Sequence, residues 1–339
     1  MKTYQMNRFL SILLLLLCAC TLPRRGSATA PPGAIPSETP ASATAAQPTP
    51  EIGSEGNPLI LALSPSAQPA EAMIAAGESL AARLEALTGF QVVTVAPASE
   101  ADIVSAFGLG NAHIAVLSPF AYLLTHENGD ANAALASVRN GQALYGAQFI
   151  ARRDAGFSSY FDTERGENTA EAAPALAQFN DKKPCWSDAY SPSGYVVPLG
   201  FLKQAEVVVR PPAFLAGQAP VVRAVYGKGI CDFGATYIDA RTLPALEADY
   251  PDVQEKVLVI WRIPAIIPYE QVVLAASLKP DMQRTLLRAI IDLMTTPEGL
   301  ADMQTVYGLE VLQPAEDSQY QAFADYVESA GLDLQTLLK

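Results

Sequence analysis

The period of apolar positions changes several times along the chain, and each change marks a predicted element. Residues 9–17 are apolar apart from Ser11 and follow the basic residues Lys2 and Arg8. This run is too short for a lasting bilayer span, and its order predicts a signal peptide over residues 1–19. Over residues 21–56 large apolar side chains nearly vanish in favour of Pro, Ala, Ser and Thr. Such a segment buries too little to offset chain entropy, and its prolines keep it extended, which predicts a tether from residue 20 to 56. Leu59 to Leu63 then form an apolar run stopped by Ser64, Pro65 and Ser66, a buried strand and a turn. Met73, Ile74, Leu80, Leu84 and Leu87 recur at helical spacing and end at Thr88-Gly89. Strands are predicted at 90–95, 113–117 and 143–152, with a helix at 100–107 and a polar loop and helix at 154–171. Further on, the pattern gives a helix ending at Gln204, a strand at 207–210, a helix opening at 220–226, and strands at 230–234 and 257–260. Residues 266–276 carry the chain back to the first unit, followed by amphipathic helices at 280–294 and 297–307 and a last helical region at 320–338. No internal repeat is visible.

Strand and helix alternate from the start of the body, which predicts α/β architecture with parallel pairing. The body is long enough for two lobes. The order of elements assigns residues 57–148 and 265–339 to one lobe and 149–264 to the other, with a ligand crevice at the carboxyl ends of the strands.

Composition narrows the function classes. The net charge is −13, and removal of Lys2 and Arg8 with the signal peptide leaves −15. So acidic a surface excludes nucleic acid as a partner and disfavours direct adhesion to an anionic membrane. The body holds two histidines, His113 and His126, and two cysteines, Cys185 and Cys231, with no CxxC pair, so no metal and no cofactor are expected. Neither a nucleophile elbow, a zinc-protease motif nor a P-loop is present, which argues against an enzyme. In an oxidising compartment the two cysteines are expected to form a disulfide, the alternative being two buried free thiols. Small residues before a Cys at the end of the signal resemble a bacterial lipobox. Cys20, preceded by Ala19, fits better than Cys18, preceded by Leu17. Acylation of Cys20 would anchor the chain to the membrane; an ordinary cleaved signal with a stray Cys is the other reading.

Three segments carry a resemblance to a family. His113-Ile-Ala-Val-Leu-Ser-Pro-Phe-Ala-Tyr122 is similar to the D-[IV]-A-x-x-G-P-x-A-Y stretch of the phosphate, phosphite and phosphonate substrate-binding proteins of ABC importers. Ser191-Pro-Ser-Gly-Tyr-Val-Val-Pro198 resembles their S-T-S-G-x-x-x-P phosphate loop, and the stretch from Gly229 to Asp239 resembles G-x-[VA]-D-A-G. The resemblance implies the type 2 periplasmic-binding-protein fold: two α/β lobes joined by a hinge, here near 145–152 and 262–269, closing on a small anion. It implies a monomeric, lipid-anchored protein on the extracytoplasmic face of the bacterial cell membrane, handing its ligand to an ABC permease; a ligand sensor signalling to a receptor or kinase, or a binder of an unrelated metabolite, is the alternative. Two hydroxyls and a glycine at a helix start make an oxyanion cradle, so Ser191, Ser193, Gly194 and Tyr195 are candidate ligand residues, although Ser before a helix is also an ordinary N-cap. By the same resemblance Tyr122 is a candidate on the first lobe, with a core role equally open, and Ser118 beside it is a further candidate. Ser64 is a candidate crevice hydroxyl or a simple turn residue. Tyr237 and Asp239 follow the strand of the third segment, where some phosphonate binders grip a ligand amine; Asp232 is expected to be structural. The chain departs from the pattern at Pro192, which stands where the family has Thr, at Ser118, which stands for Gly, and near 220–226, where a family His has no counterpart.

Overall fold

The computed structural model describes residues 50–65 and 69–338. The signal segment, Cys20, most of the tether and Ser66 lie outside the described residues. Residues 50–56, assigned to the tether from sequence, are folded onto the body: Gly53 donates to the Asn57 carbonyl at 2.7 Å, and its bare Cα lies against Phe90 and Met282.

Early strands separated by helices must pair in parallel, because a crossover of helical length returns the chain in the same direction. β1 (Leu59–Ala62), α1 (Ala70–Thr88), β2 (Val92–Val95), α2 (Glu100–Gly108) and β3 (Ile114–Leu117) follow that rule, with Leu59 opposite Val92 and Leu61 opposite Ile114. Helix α1 stops at Gly89, whose φ of 74° suits a residue without Cβ and whose N–H reaches the Glu85 carbonyl at 2.8 Å. Gly77 of α1 lets the helix press on β1, since a Cβ there would sit 2.6 Å from Leu63 Cδ1. After α3 (Pro119–Glu127), β4 (Ala131–Ser137) adds to the same sheet.

Residues 138–143 then cross to a second sheet. It is built from β5 (Leu144–Arg152), a small hairpin of β6 (Phe161–Asp162) and β7 (Glu167–Asn168) at its side, α4 (Ala172–Leu176), β8 (Pro184–Trp186), α5 (Val197–Gln204), β9 (Ala213–Phe214), α6 (Gln218–Gly227), β10 (Phe233–Tyr237), α7 (Pro244–Asp249), α8 (Val253–Lys256) and β11 (Val257–Pro268). Strand order is β11-β5-β10-β8-β9. At residues 269–270 the chain returns, and β12 (Gln271–Ala275) inserts antiparallel between β3 and β4. α9 (Pro280–Met294) and α10 (Pro297–Tyr307) cover this sheet with Leu286, Ile290, Leu293 and Met303, and β13 (Leu312–Pro314) closes its edge in the order β13-β4-β12-β3-β1-β2.

The last helix, α11 (Gln321–Ala330), touches both lobes. Tyr326 stacks on Phe201 of α5 at 3.7 Å, and Gly200 admits it, since a Cβ there would meet the Tyr326 carbonyl at 2.0 Å. Phe323 meets Phe120 of α3 at 5.8 Å. Cys185 of β8 and Cys231 form a disulfide with Cα atoms 5.6 Å apart.

Several expected elements differ. Residues 207–210 form no strand: Val208 is exposed and its N–H is held by the Asn180 side chain, and β9 forms only where Ala213 lies beside Cys185. β10 starts at Phe233 rather than 230, after the disulfide-held Cys231. Residues 154–171 contain the β6–β7 hairpin and no α-helix. β5 and β11 pair along their lengths within the second sheet, so residues 144–148 and 265–268, given to the first lobe from sequence, pair there, and the crossings lie at 138–143 and 269–270.

Candidate functional site

A cavity of about 560 Å³ opens between the two sheets. Its second-lobe wall is made by Tyr190 to Ser193, Gln218 and Tyr237; its first-lobe wall by Glu100, Ser118 to Phe120 and Leu337; its floor by Arg139, Asn140, Tyr145 and Pro268 to Glu270 at the crossings.

Local sequence explains the second-lobe wall. Ser191 caps a helix start, its Oγ accepting the Gly194 N–H at 2.9 Å. Pro192 occupies the first helical position, where a missing donor does no harm. The first turn is wide, the Val196 N–H reaching the Ser191 carbonyl at 3.1 Å, five residues back. Pro198 has no N–H for the Gly194 carbonyl, and that carbonyl instead accepts from Ser187 N at 3.2 Å. Gly194 permits the approach: a Cβ would fall 2.0 Å from Ser187 Oγ. Gln218 braces the turn, donating from Nε2 to Ser191 Oγ at 3.3 Å and accepting Tyr237 N at 3.3 Å. Ser193 is buried, lines the cavity and hydrogen-bonds the Tyr145 phenol, whose pKa burial drives well up. Burial also raises the Tyr237 phenol, with the Asp239 charge adding to it. The wall is therefore a neutral set of hydroxyls and an amide at the positive end of a helix, suited to an oxyanion.

The first-lobe wall has its own helix start. Ser118 caps α3, but it is already engaged: its N–H donates to Glu100 Oε1 at 3.0 Å and its hydroxyl to Glu100 Oε2 at 2.8 Å. On the floor Arg139 pairs with Glu270 at 2.7 Å and lies over the Tyr269 ring, and Tyr269 stacks on Tyr145 at 4.8 Å.

Of the residues singled out from sequence, Ser118, Ser191, Ser193 and Tyr237 line the cavity together. Five do not. Tyr122 is in the core, where burial and its 2.7 Å hydrogen bond to Asp317 raise its pKa. Asp239 is committed to Arg241, with Nη2 at 2.6 Å and Nε at 3.0 Å, and to the Gln148 amide at 2.7 Å. Burial opposes its charge, but the Arg241 and Gln148 contacts outweigh burial and hold it below the usual carboxylate range. Ser64 donates to the Val116 carbonyl at 2.5 Å. Gly194 supports the turn from behind, and Tyr195 packs between Trp186 and Phe214. Asp232 accepts from Lys183 N at 2.8 Å and pairs with Arg210, the structural role expected of it. Sequence reasoning missed Glu100, Arg139, Tyr145, Gln218, Tyr269 and Glu270. Gln218, the first residue of α6, was open to discovery by the helix-start argument used for Ser191; the others carry no local signal.

Solved structures share the fold. The Xanthomonas citri protein XAC2383, solved with chloride ion, is 15% identical with a TM-score of 0.57 over 80% of this chain and 97% of its own. The same protein bound to ATP gives 14% and 0.57, over 80% and 96%. PhnD1 from Prochlorococcus marinus, in complex with methylphosphonate, is 13% identical with a TM-score of 0.50 over 80% and 98%. No curated protein sequence matches the chain. Among the described residues no helix is long and apolar enough to cross a membrane. Residues 62–320 match the family described as "ABC transporter, phosphonate, periplasmic substrate-binding protein". With that match over most of its length and a two-lobed α/β body around a crevice, the chain belongs to the periplasmic substrate-binding proteins of phosphonate ABC transporters.

Proposed function

We propose that the protein is a lipid-anchored, extracytoplasmic clamp that captures a small oxyanion, phosphate, phosphite or phosphonate in type, and delivers it to an ABC permease. The observation that carries this reading is the Ser191–Ser193 cradle opening into a cavity of about 560 Å³. Its donors are neutral and fixed by Gln218 and Tyr145, so they need little rearrangement on binding. In this reading residues 1–19 are removed, Cys20 is acylated, and the lobes close about the crossings at 138–143 and 269–270. It assigns capture and delivery, with no chemistry on the ligand.

Thermal unfolding of the full-length chain with phosphate, phosphite, methylphosphonate, aminoethylphosphonate and unrelated small metabolites tests it. A ligand at a hundred times its dissociation constant stabilises the folded state by about 2.7 kcal/mol, a rise of about 5 °C for a body of this size. A shift with a phosphorus oxyanion is the expected result. A shift with only a non-anionic metabolite, or with nothing in the panel, overturns the reading.

A further inference from the structure

A second cavity, of about 430 Å³, lies at the crossings, and neither Ser191 nor Ser193 lines it. The stacked rings of Tyr145 and Tyr269, together with Arg139, belong to the walls of both cavities. The rest of the second wall is its own: Phe161, Glu167 and Asn168 of the β6–β7 hairpin and residues 261–265 of β11. An irregular stretch of pairing shapes it. Ile263 lies opposite Ala147 and Ile267 opposite Tyr145, so four steps along β11 answer two along β5, and β11 bulges between them. Gly146 admits the bulge, since a Cβ there would lie 2.5 Å from the Ile263 carbonyl oxygen. Asn168 fixes the strand just before it, donating to the Arg262 carbonyl at 2.7 Å and accepting the Arg262 N–H at 2.9 Å.

The side chain of Arg262 is incompletely partnered. Its guanidinium lies over the Phe161 ring, 4.1 Å from the centroid, and stacking of this kind occupies a face and leaves the N–H groups in the plane. Nε is buried and has no hydrogen-bond partner among the described residues. Nη2 stands 3.6 Å from Asp239 Oδ2, beyond hydrogen-bond distance, and that oxygen already accepts Arg241 Nη2 at 2.6 Å. One carboxylate thus faces two guanidiniums, and the group carries one positive charge in excess. Burial holds the Arg262 guanidinium below the ordinary arginine range, against the pull of Asp239 and with the push of Arg241. The other charges on this wall have partners: Arg139 is paired with Glu270, and the exposed Glu167 has Arg165 at 3.6 Å.

We propose that this cavity is a second ligand site, separate from the crevice, and that it takes a small aromatic carboxylate held by Arg262. A monoanion matches an excess of one charge. A planar carboxylate matches the fork of N–H groups that the stacked guanidinium leaves free. Phe161, Tyr145 and Tyr269 supply rings for the body of the ligand to pack against. The inference stands apart from the oxyanion-binding reading of the crevice.

The test uses the full-length chain with benzoate and benzamide, probes of nearly one shape that differ in charge. In isothermal titration benzoate is expected to bind with a dissociation constant below about 1 mM, and at least about tenfold more tightly than benzamide, the effect of one hydrogen-bonded charge. Arg262→Gln removes the charge and is expected to shrink that ratio to within about threefold. Ser193→Ala, in the crevice, should leave benzoate affinity within about twofold. Where Arg262→Gln fails to fold, Phe161→Leu takes its place: it removes the ring under the guanidinium and should weaken benzoate by about threefold or more. Benzoate binding weaker than about 1 mM, equal wild-type affinities for the two probes, or a ratio that survives Arg262→Gln overturns the inference. So does unchanged benzoate affinity in Phe161→Leu, or a loss that follows Ser193→Ala, which would put the probe in the crevice.

Discussion

Ser191 on one wall of the crevice and Ser118 on the other are both caps of helix starts, both beside proline, and both face the same space. Their hydroxyls have different surroundings. Ser191 Oγ accepts from Gly194 and from the Gln218 amide, which leaves its own hydrogen to donate. Ser118 gives its hydrogen to Glu100. The same local device keeps a donor for the crevice on one wall and is a completed ion–dipole contact on the other, and a single carboxylate makes the difference. A helix N-terminus in a crevice is a binding site only after its internal acceptors have been counted.

The comparison can be broken at three levels. The largest effect is expected behind the second-lobe wall. Asp239 and Arg241 are a buried pair, and Asp239→Ala leaves a guanidinium without its main partner. Loss of one member of such a pair costs about 3–5 kcal/mol, to be read from urea unfolding, whereas Glu100→Gln in the half-exposed first wall should cost far less. Next in size is the contrast between the two kinds of serine. Ser193→Ala should weaken binding of whichever phosphonate probe the chain takes by about five- to tenfold in titration calorimetry, about 1 kcal/mol for one donor. Ser118→Ala should change it by less than about twofold, because that hydroxyl already serves Glu100. Equal losses from the two serines would show that the two caps serve the crevice alike.

The smallest effect belongs to the first sheet. His113 accepts the Ile60 N–H at 3.0 Å on Nδ1, and burial lowers its pKa. The unfolded chain therefore takes up a proton that the folded chain resists. Stability should be fully present above the ordinary value of about 6.5 and fall as the pH drops below it toward the lowered folded value. His113→Asn, which keeps an acceptor for Ile60, should flatten the melting temperature between pH 7 and 5.

Long amphipathic helices could be read from the chain because their boundaries are local: α1 ends at a glycine, and α9 and α10 each begin with a proline. β4 could not. Its Ala-Asn-Ala-Ala-Leu-Ala-Ser sequence has weak strand propensity, and its place is fixed by β12 and β13 on either side. The Ser191 turn was legible because serine, proline and glycine each fix backbone geometry over a few residues. Arg139, Tyr145, Tyr269 and Glu270 were not, because two crossings more than a hundred residues apart bring them together. Tyr122 and Asp239 mark the opposite error. Proximity to a strand end along the chain placed them at the crevice, whereas helix phase turns Tyr122 into the core and Arg241 draws Asp239 inward.

Helix α11 gives the two lobes a third connection besides their two crossings. Asp317, just before it, is fastened to the first lobe through Tyr122 and the Ala133 N–H, while Tyr326 lies flat on Phe201 of the second. Any rotation of one lobe against the other must carry this stacked contact along or slide it. In the closure proposed above, the contact enters the balance between open and closed populations, and apparent affinity scales with the fraction already in the competent arrangement. Evolution can thus retune how avidly the protein holds its cargo by editing an aromatic pair that the cargo never meets.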